Sequence, residues 1–431
     1  MIDFSDKDYV INGSLVRNEL VITFPDGDEE TITETNMSSE SMQLKQSICD
    51  EDRLKFGGCI ASEFRIDLIN TDDRIFTSDL VGKWISVKLT QYYVGDSDIL
   101  PAETIYPSST VYPGKEVKSK EFYIFSGYID SAKVDTNDEN MRNVVAYDVF
   151  AKLYEQDATS TLMSVLKSTD EGGYKWIKNV LAMCVNESCN KVLDIPCDWG
   201  TYFNEVINEV EELTAGQYKV NNDDWLADNN TISFGEIMKS VCEMLGLFGV
   251  IKPNGGKGYF YLLKLRTSVE RYLFYENLYV EEFVCAGYTE IQILNGNENR
   301  DDKILLYQFP QGSDTATTKT YDLTNNALAW QDWDGSGSGT SADAHLISLL
   351  KGDTGSRFNH PHYSPLNATL NGRPWVEVGD RISIVSYVTN VDGSYVYKDG
   401  EPTTKAVYTY ALSRTLTGIQ ALTDKIEVKG T

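Results

Sequence analysis

Asp332, Asp334 and Asp343 stand at positions 1, 3 and 12 of a loop, with Ser336 at position 5 and Gly337 at position 6. Acids at that spacing can wrap a hard cation in oxygens, as calcium loops do. The match is incomplete. Gly339 occupies position 8 in place of an aliphatic anchor, position 12 is the short Asp, and no strong helical pattern leads in. The stretch reads better as a flexible Gly/Ser loop, with Ser341 or Asp343 capping the helical segment ADAHLISLL. Cys184, Cys189 and Cys197 follow a C-x4-C-x7-C spacing with no His nearby. Zinc sites use closer pairs and usually four ligands. Cys184 lies on an amphipathic stretch, where a buried thiol is ordinary. His360-Pro361-His362 would need a carboxylate or nucleophile brought close in space to act; it reads as a Pro-restricted loop.

No H-E-x-x-H, G-x-S-x-G or phosphate-loop pattern is present. Asn254-Gly255-Gly256-Lys257 resembles a phosphate cradle only superficially, and reads as a hairpin turn. Acid pairs are so frequent that the sequence selects none as a glycosidase pair. No catalytic, cofactor-binding or metal-binding residue is therefore assigned. One long loop carries Tyr92, Tyr93, Tyr106 and Tyr112 on a backbone stiffened by Pro101, Pro107 and Pro113. Tyrosines of this kind suit a contact with another subunit, or a solvent loop with scattered aromatics; both readings stay open.

The elements that must position these residues follow from composition and period. The chain has 431 residues, 41% hydrophobic and 11% aromatic, enough to bury several cores. Acids outnumber bases 65 to 38, for a net charge of −27. Such a surface is a poor partner for duplex nucleic acid or anionic membranes, which need clustered Lys and Arg. A path along which nucleic acid passes without sticking is compatible with it. No apolar run is long enough for a transmembrane helix, and the first residues, MIDFSDKDYV, lack a secretory pattern. Seven cysteines, an odd count in a long chain, predict reduced thiols and synthesis in a cytoplasm.

Period-2 stretches rich in β-branched and aromatic residues (FRIDLI, WISVKLTQYYV, EFYIFSGYIDSAKV, NVVAYDVF) predict strands through residue 155. From 156 to about 250 the apolar spacing becomes three and four, the helical period. Ser233 and Glu236 have capping-box spacing, and Gly246 and Gly249 mark that helix's end. A hairpin with its turn at Asn254-Gly255 follows, then further strands. Residues 301–431 return to strands after a helical interlude. The fold class predicted is a mixed, β-rich α+β protein. Two small β-barrel domains (1–155 and 301–431) flank an α+β middle region (156–300). Between the two outer domains, Val81–Val87 (VGKWISV) echoes Val378–Ile384 (VGDRISI), and an aromatic hairpin follows each. The echo predicts that the same small barrel occurs twice.

The run PWVEVGDRISI (Pro374 to Ile384) and then YTYALSRTLTGIQALTDKIEVKG (Tyr408 to Gly430) resemble the last barrel of tail-tip or baseplate hub proteins of tailed phages and prophages. That family shows P-x-x-E-V-G-D followed by L-S-R-x-L-x-G-x-Q-x-L. YDLTNNALAW (Tyr321 to Trp330) is similar to an upstream Y-x-I-x-N-P-L segment, with Ala327 where Pro is frequent. FSGYIDSAKVD and VVAYDVFAKLYEQDA (Phe125 to Ala158) are similar to its G-x-I-D-S strand and A-Y-D-x-L helix start. The resemblance implies a structural virion protein without catalysis or cofactor. It implies a homotrimeric hub at the tail tip or baseplate, assembled in the host cytoplasm. That hub joins a six-fold tail tube or distal tail protein to a three-fold spike or tip protein, contacts a tape measure protein, and lets viral DNA leave without specific binding. The chain ends at Thr431, where many relatives continue into a peptidase, lysozyme or fibre module, so the resemblance carries no such activity here. From other classes, a β-rich glycan-degrading enzyme or a carbohydrate-binding adhesin is the alternative.

Overall fold

Alternation of inward apolar and outward polar residues builds most of the strands. The computed structural model describes residues 14–24, 31–50, 54–69, 80–94, 117–167, 231–265, 269–274, 285, 288–295, 303–308, 319–323, 326, 330–331 and 362–429. In chain order come β1 (Ser14–Thr23), β2 (Thr31–Ile32), β3 (Gln43–Ser47), β4 (Gly57–Gly58), β5 (Glu63–Ile69), β6 (Trp84–Val94), β7 (Val117–Val134) and β8 (Met141–Tyr147). Helices α1 (Val149–Glu155), α2 (Thr159–Lys167) and α3 (Phe234–Leu245) follow. Then come β9 (Phe248–Asn254), β10 (Lys257–Leu263), β11 (Val269–Phe274), β12 (Glu290–Asn295), β13 (Lys303–Gln308), β14 (Thr320–Asp322) and β15 (Trp330–Gln331). The last are β16 (Leu366–Asn371), β17 (Arg381–Tyr387), β18 (Tyr397–Lys398), β19 (Glu401–Pro402), β20 (Thr404–Tyr410), β21 (Ser413–Thr417) and β22 (Thr423–Val428). The β-rich α+β class is the one the sequence indicates.

The main sheet has ten strands, in the order β16-β22-β21-β3-β5-β8-β7-β6-β1-β2. The sheets do not close into the two barrels expected from sequence. β3 prevents a separation into two. It pairs antiparallel with β21 on one edge, Leu44 facing Leu416, and with β5 on the other, Leu44 facing Phe64. Using both edges of β3 leaves no open rim between the chain's two ends. Smaller sheets are β10-β9-β4, β11-β17-β20, β18-β19 and a set built on β12.

The echo at Val81 and Val378 is structural. Gly82 and Gly379 both adopt left-handed φ, +83° and +85°, just before β6 and β17. The Gly82 N–H donates to the Ile129 carbonyl, and the Ile129 N–H donates back to the Lys83 carbonyl. In the second copy the Gly379 N–H donates to the Ala411 carbonyl, and the Ala411 N–H donates to the Asp380 carbonyl. Trp84 faces Tyr128 as Arg381 faces Tyr410. The register then continues in parallel. Ser131 faces Val145 and Val134 faces Arg142 in the first copy; Ser413 faces Glu427 and Leu416 faces Asp424 in the second. A register shift breaks β7 at Asp130, and the corresponding point, between Tyr410 and Ser413, separates β20 from β21. The outer strands match as well. Phe64, Ile66 and Leu68 of β5 are buried, as are Leu366, Ala368 and Leu370 of β16. Strand order is thus β5-β8-β7-β6 in one repeat and β16-β22-β21/β20-β17 in the other.

The helices are set by local chemistry. The Glu236 N–H donates to the Ser233 Oγ, and the Ser233 N–H donates to the Glu236 carboxylate, the capping box expected. Gly246 closes α3 in the left-handed region. Gly249 does not end the helix. It lies in β9, where an added Cβ would come within 2.3 Å of the Cys59 Sγ. The expected hairpin has Gly255 and Gly256, both at positive φ, as its central pair between β9 and β10. That is one residue beyond the expected turn, and suits a two-residue turn.

Candidate functional site

Arg414, Asp424 and Gln420 lie at the point where the two ends of the chain meet. The C-terminal motif LSRTLTGIQAL fills the edge between β21, β22 and β3. Arg414 and Asp424 are only 3% and 0% exposed, and pair through Nε–Oδ1 at 2.6 Å and Nη2–Oδ2 at 3.1 Å. Arg414 also donates to the carbonyls of Val376 and Arg373. Asp424 accepts the Arg373 N–H at 2.9 Å. A buried guanidinium needs its fork filled by acceptors, and here the fork pins the segment before β17. The Glu377 N–H donates to the Asp380 carboxylate at 2.9 Å, which shapes the E-V-G-D turn around Gly379.

Gln420 closes the other side. Its Nε2 donates to the Asn18 carbonyl at 2.6 Å, and the Asn18 Nδ2 donates to the Ile419 carbonyl at 2.7 Å. Asn18 is wholly buried, and its Oδ1 accepts from Gln91 at 3.0 Å. Gly418, at φ +76°, donates its N–H to the Met42 carbonyl. Gln420 and Gly418 therefore tie the C-terminal strands to β1 and to the start of β3, while Arg414 holds the segment before β17.

The other resembling segments do the same kind of work. A Cβ on Gly127 would sit 2.2 Å from the Tyr147 carbonyl oxygen. Asp148 caps α1, accepting from the Phe150 N–H at 3.0 Å and from the Ser62 N–H at 2.7 Å. Burial pushes its carboxyl up to about 7, against the pull of those donors. Asn326 donates to the Ser240 carbonyl and to Glu243, and Tyr321 packs 5.6 Å from Phe56 and 4.8 Å from Tyr288. Both hold the YDL segment against the middle region.

The thiols among the described residues are buried. Cys49, Cys59, Cys242 and Cys285 are free and buried. Burial raises the Cys59 thiol well above its usual value, and its neighbour Cys242 raises it further; an activated nucleophile needs the opposite shift. Burial likewise raises Glu243 and lowers Lys319. Among the described residues, no three His, Cys, Asp or Glu side chains gather where they could hold a metal ion. Among them too, no helix is long and apolar enough to cross a membrane.

The chemically suggestive residues of the sequence are only partly brought together. Asp332, Asp334 and Asp343 lie outside the described residues, as do Cys184, Cys189, Cys197, His360, Tyr106 and Tyr112. His362 and the Tyr93 backbone are described. Tyr92 donates from its hydroxyl to Glu19 at 2.8 Å, with Arg17 over its ring at 4.4 Å. The Gly256 carbonyl accepts from Trp84 and Ser126, so the hairpin turn docks on β6 and β7. Sequence reasoning did not single out Asn18 or Asp424. Both are ordinary residue types whose role comes from distant partners.

No protein-family model matches the chain, and no curated protein matches it. Among solved structures, the chain is similar to the 43 kDa tail protein of prophage MuSo2 from Shewanella oneidensis. The identity is 9% and the TM-score 0.41, over 96% of this chain and 98% of that one.

Proposed function

We propose that this chain is a non-catalytic structural subunit of a phage-type tail, acting as a hub at the tail tip or baseplate. The observation that carries this reading is the internal repeat: one chain holds the same four-strand unit twice, with matching register and matching glycine turns. A homotrimer of such a chain presents six near-equivalent surfaces. It can therefore face a six-fold tail tube on one side and a three-fold spike or tip on the other. The motif residues Gly127, Asn326, Asp380, Arg414 and Gln420 support the same reading, since each is used to build the scaffold. The excess of 27 negative charges suits a bore through which DNA passes unheld.

The test is assembly. Purified protein should be trimeric by light scattering, bind recombinant tail-tube protein, and leave peptidoglycan and polysaccharide intact. A stable monomer that binds glycans, or turnover abolished by a single carboxylate-to-amide change, refutes the reading in favour of an adhesin or a glycan hydrolase.

A further inference from the structure

The two repeats differ at one edge. In the first, β6 stops pairing with β7 at Tyr128, opposite Trp84. Ile129 still bonds Gly82 and Lys83; from Ser131 onward β7 has β8 on one side, and among the described residues nothing pairs with the other. The Asp135 N–H donates to the Met141 carbonyl at 2.9 Å. In an antiparallel ladder, alternate residues bond the same neighbour. Residues 131, 133 and 135 therefore bond toward β8, and the N–H and C=O groups of Ala132 and Val134 face outward.

In the second repeat the corresponding residues are Arg414 and Leu416, and they face β3, opposite Gln46 and Leu44. Bonds from Ile48 N–H to the Leu412 carbonyl and from Gly418 N–H to the Met42 carbonyl extend that ladder at both ends. Leu416 is 0% exposed under its covering strand; Val134, its counterpart, is 48% exposed. A lone exposed Val is ordinary. Here it coincides with an open run of backbone donors and acceptors, at a position the same fold covers elsewhere. The far end of the sheet shows the complementary gap. β16 is the counterpart of β5, and β5 is flanked by β3, whereas among the described residues β16 ends the sheet.

We infer that the edge of β7 at Ala132 and Val134 is a strand-pairing surface for a second copy of this chain, which brings the β16 end of its sheet against it. The inference rests on the assembly role proposed above. Its basis is the junction already made inside the chain, where the second repeat's β21 edge meets the β5 side of the first across β3. The free β7 edge and the free β16 end are the repeat counterparts of those two surfaces. Joining them between copies is a head-to-tail contact, the kind that generates a ring when its rotation closes.

The test uses this protein with Ala132→Pro, Val134→Asp and, as control, Val391→Asp, a fully exposed site in the turn between β17 and β18. Proline at 132 removes only the outward donor and spares the β8 ladder. Sedimentation should show self-association weakened about tenfold or more in both edge variants, with circular dichroism unchanged and the control like wild type. In wild-type oligomer, hydrogen exchange at the Ala132 and Val134 amides should be slow; the Val134 amide should exchange fast in Ala132→Pro, and the amides at both positions should exchange fast in Val134→Asp. Edge variants that assemble like wild type, or fast exchange at those amides in the wild-type oligomer, overturn this surface while leaving the hub reading intact. A wild type that stays monomeric at every concentration and ignores tube protein overturns both.

Discussion

Replacing Arg414 with alanine leaves Asp424 buried with a single remaining described donor, the Arg373 N–H, and strips a donor from each of the Val376 and Arg373 carbonyls. Breaking one partner of a buried pair costs about 3–5 kcal/mol. An orphaned buried acceptor costs about 1–3 kcal/mol, a figure that overlaps the first and does not simply add to it. The expected loss is therefore about 3–5 kcal/mol, read as a lower urea midpoint. Because β21 and β22 carry the lost contacts, faster hydrogen exchange should begin there. Arg414→Lys keeps the charge but not the fork, and should fall between alanine and wild type. Removing both charges, as Arg414→Met with Asp424→Leu, should cost less than Arg414→Ala alone, because no unpaired ion remains buried. A double-mutant cycle measures that coupling directly. If Arg414→Ala costs under about 1 kcal/mol, or the double variant costs the sum of the singles, the clamp is not what holds this edge.

Gly82→Ala and Gly379→Ala impose the same left-handed strain, about 1–2 kcal/mol, but only the second Cβ collides, at 2.5 Å from Leu263 Cδ2. Gly379→Ala should therefore be the more destabilising by about 1–3 kcal/mol in chemical denaturation; equal losses contradict the packing. Asp148 has its folded-state carboxyl raised from 3.8 to about 7. Its contribution is full below pH ~4 and lost as pH rises through about 7. Asp148→Asn should flatten the stability-versus-pH curve in that window, where up to ~4 kcal/mol is at stake at about 1.36 kcal/mol per unit; an unchanged slope refutes this. Gln420→Ala should speed exchange in the β21–β22 turn and cost about 1–2 kcal/mol, which thermal melts can check. Duplex DNA should not be retarded by the protein in gel-shift assays at physiological salt, where a shift would contradict the charge argument.

Much of the local structure was written in the chain. Alternating Phe64, Ile66 and Leu68 specify a half-buried strand, and Ser233 with Glu236 specifies a helix start, because each depends on neighbours within a few residues. The V-G-x-x-I-S echo survived because the turn needs a glycine at positive φ and the following positions are buried in both copies. The matching of β5 with β16 was invisible: alternation alone persists between EFRIDLI and PLNATLN, and alternation is common to most strands. Tertiary structure decided what joins what. The Ser47 hydroxyl meets the Leu412 carbonyl across 365 residues of chain, and no periodicity encodes such a pairing. The expected barrels failed for this reason. Closure depends on which edges meet, and β3 offers two equally good edges to opposite ends of the chain. Sequence likewise marked Arg414 and Gln420 within a motif, but their purpose rests on Asp424, Asn18 and the Val376 carbonyl, which only folding brings within hydrogen-bonding distance.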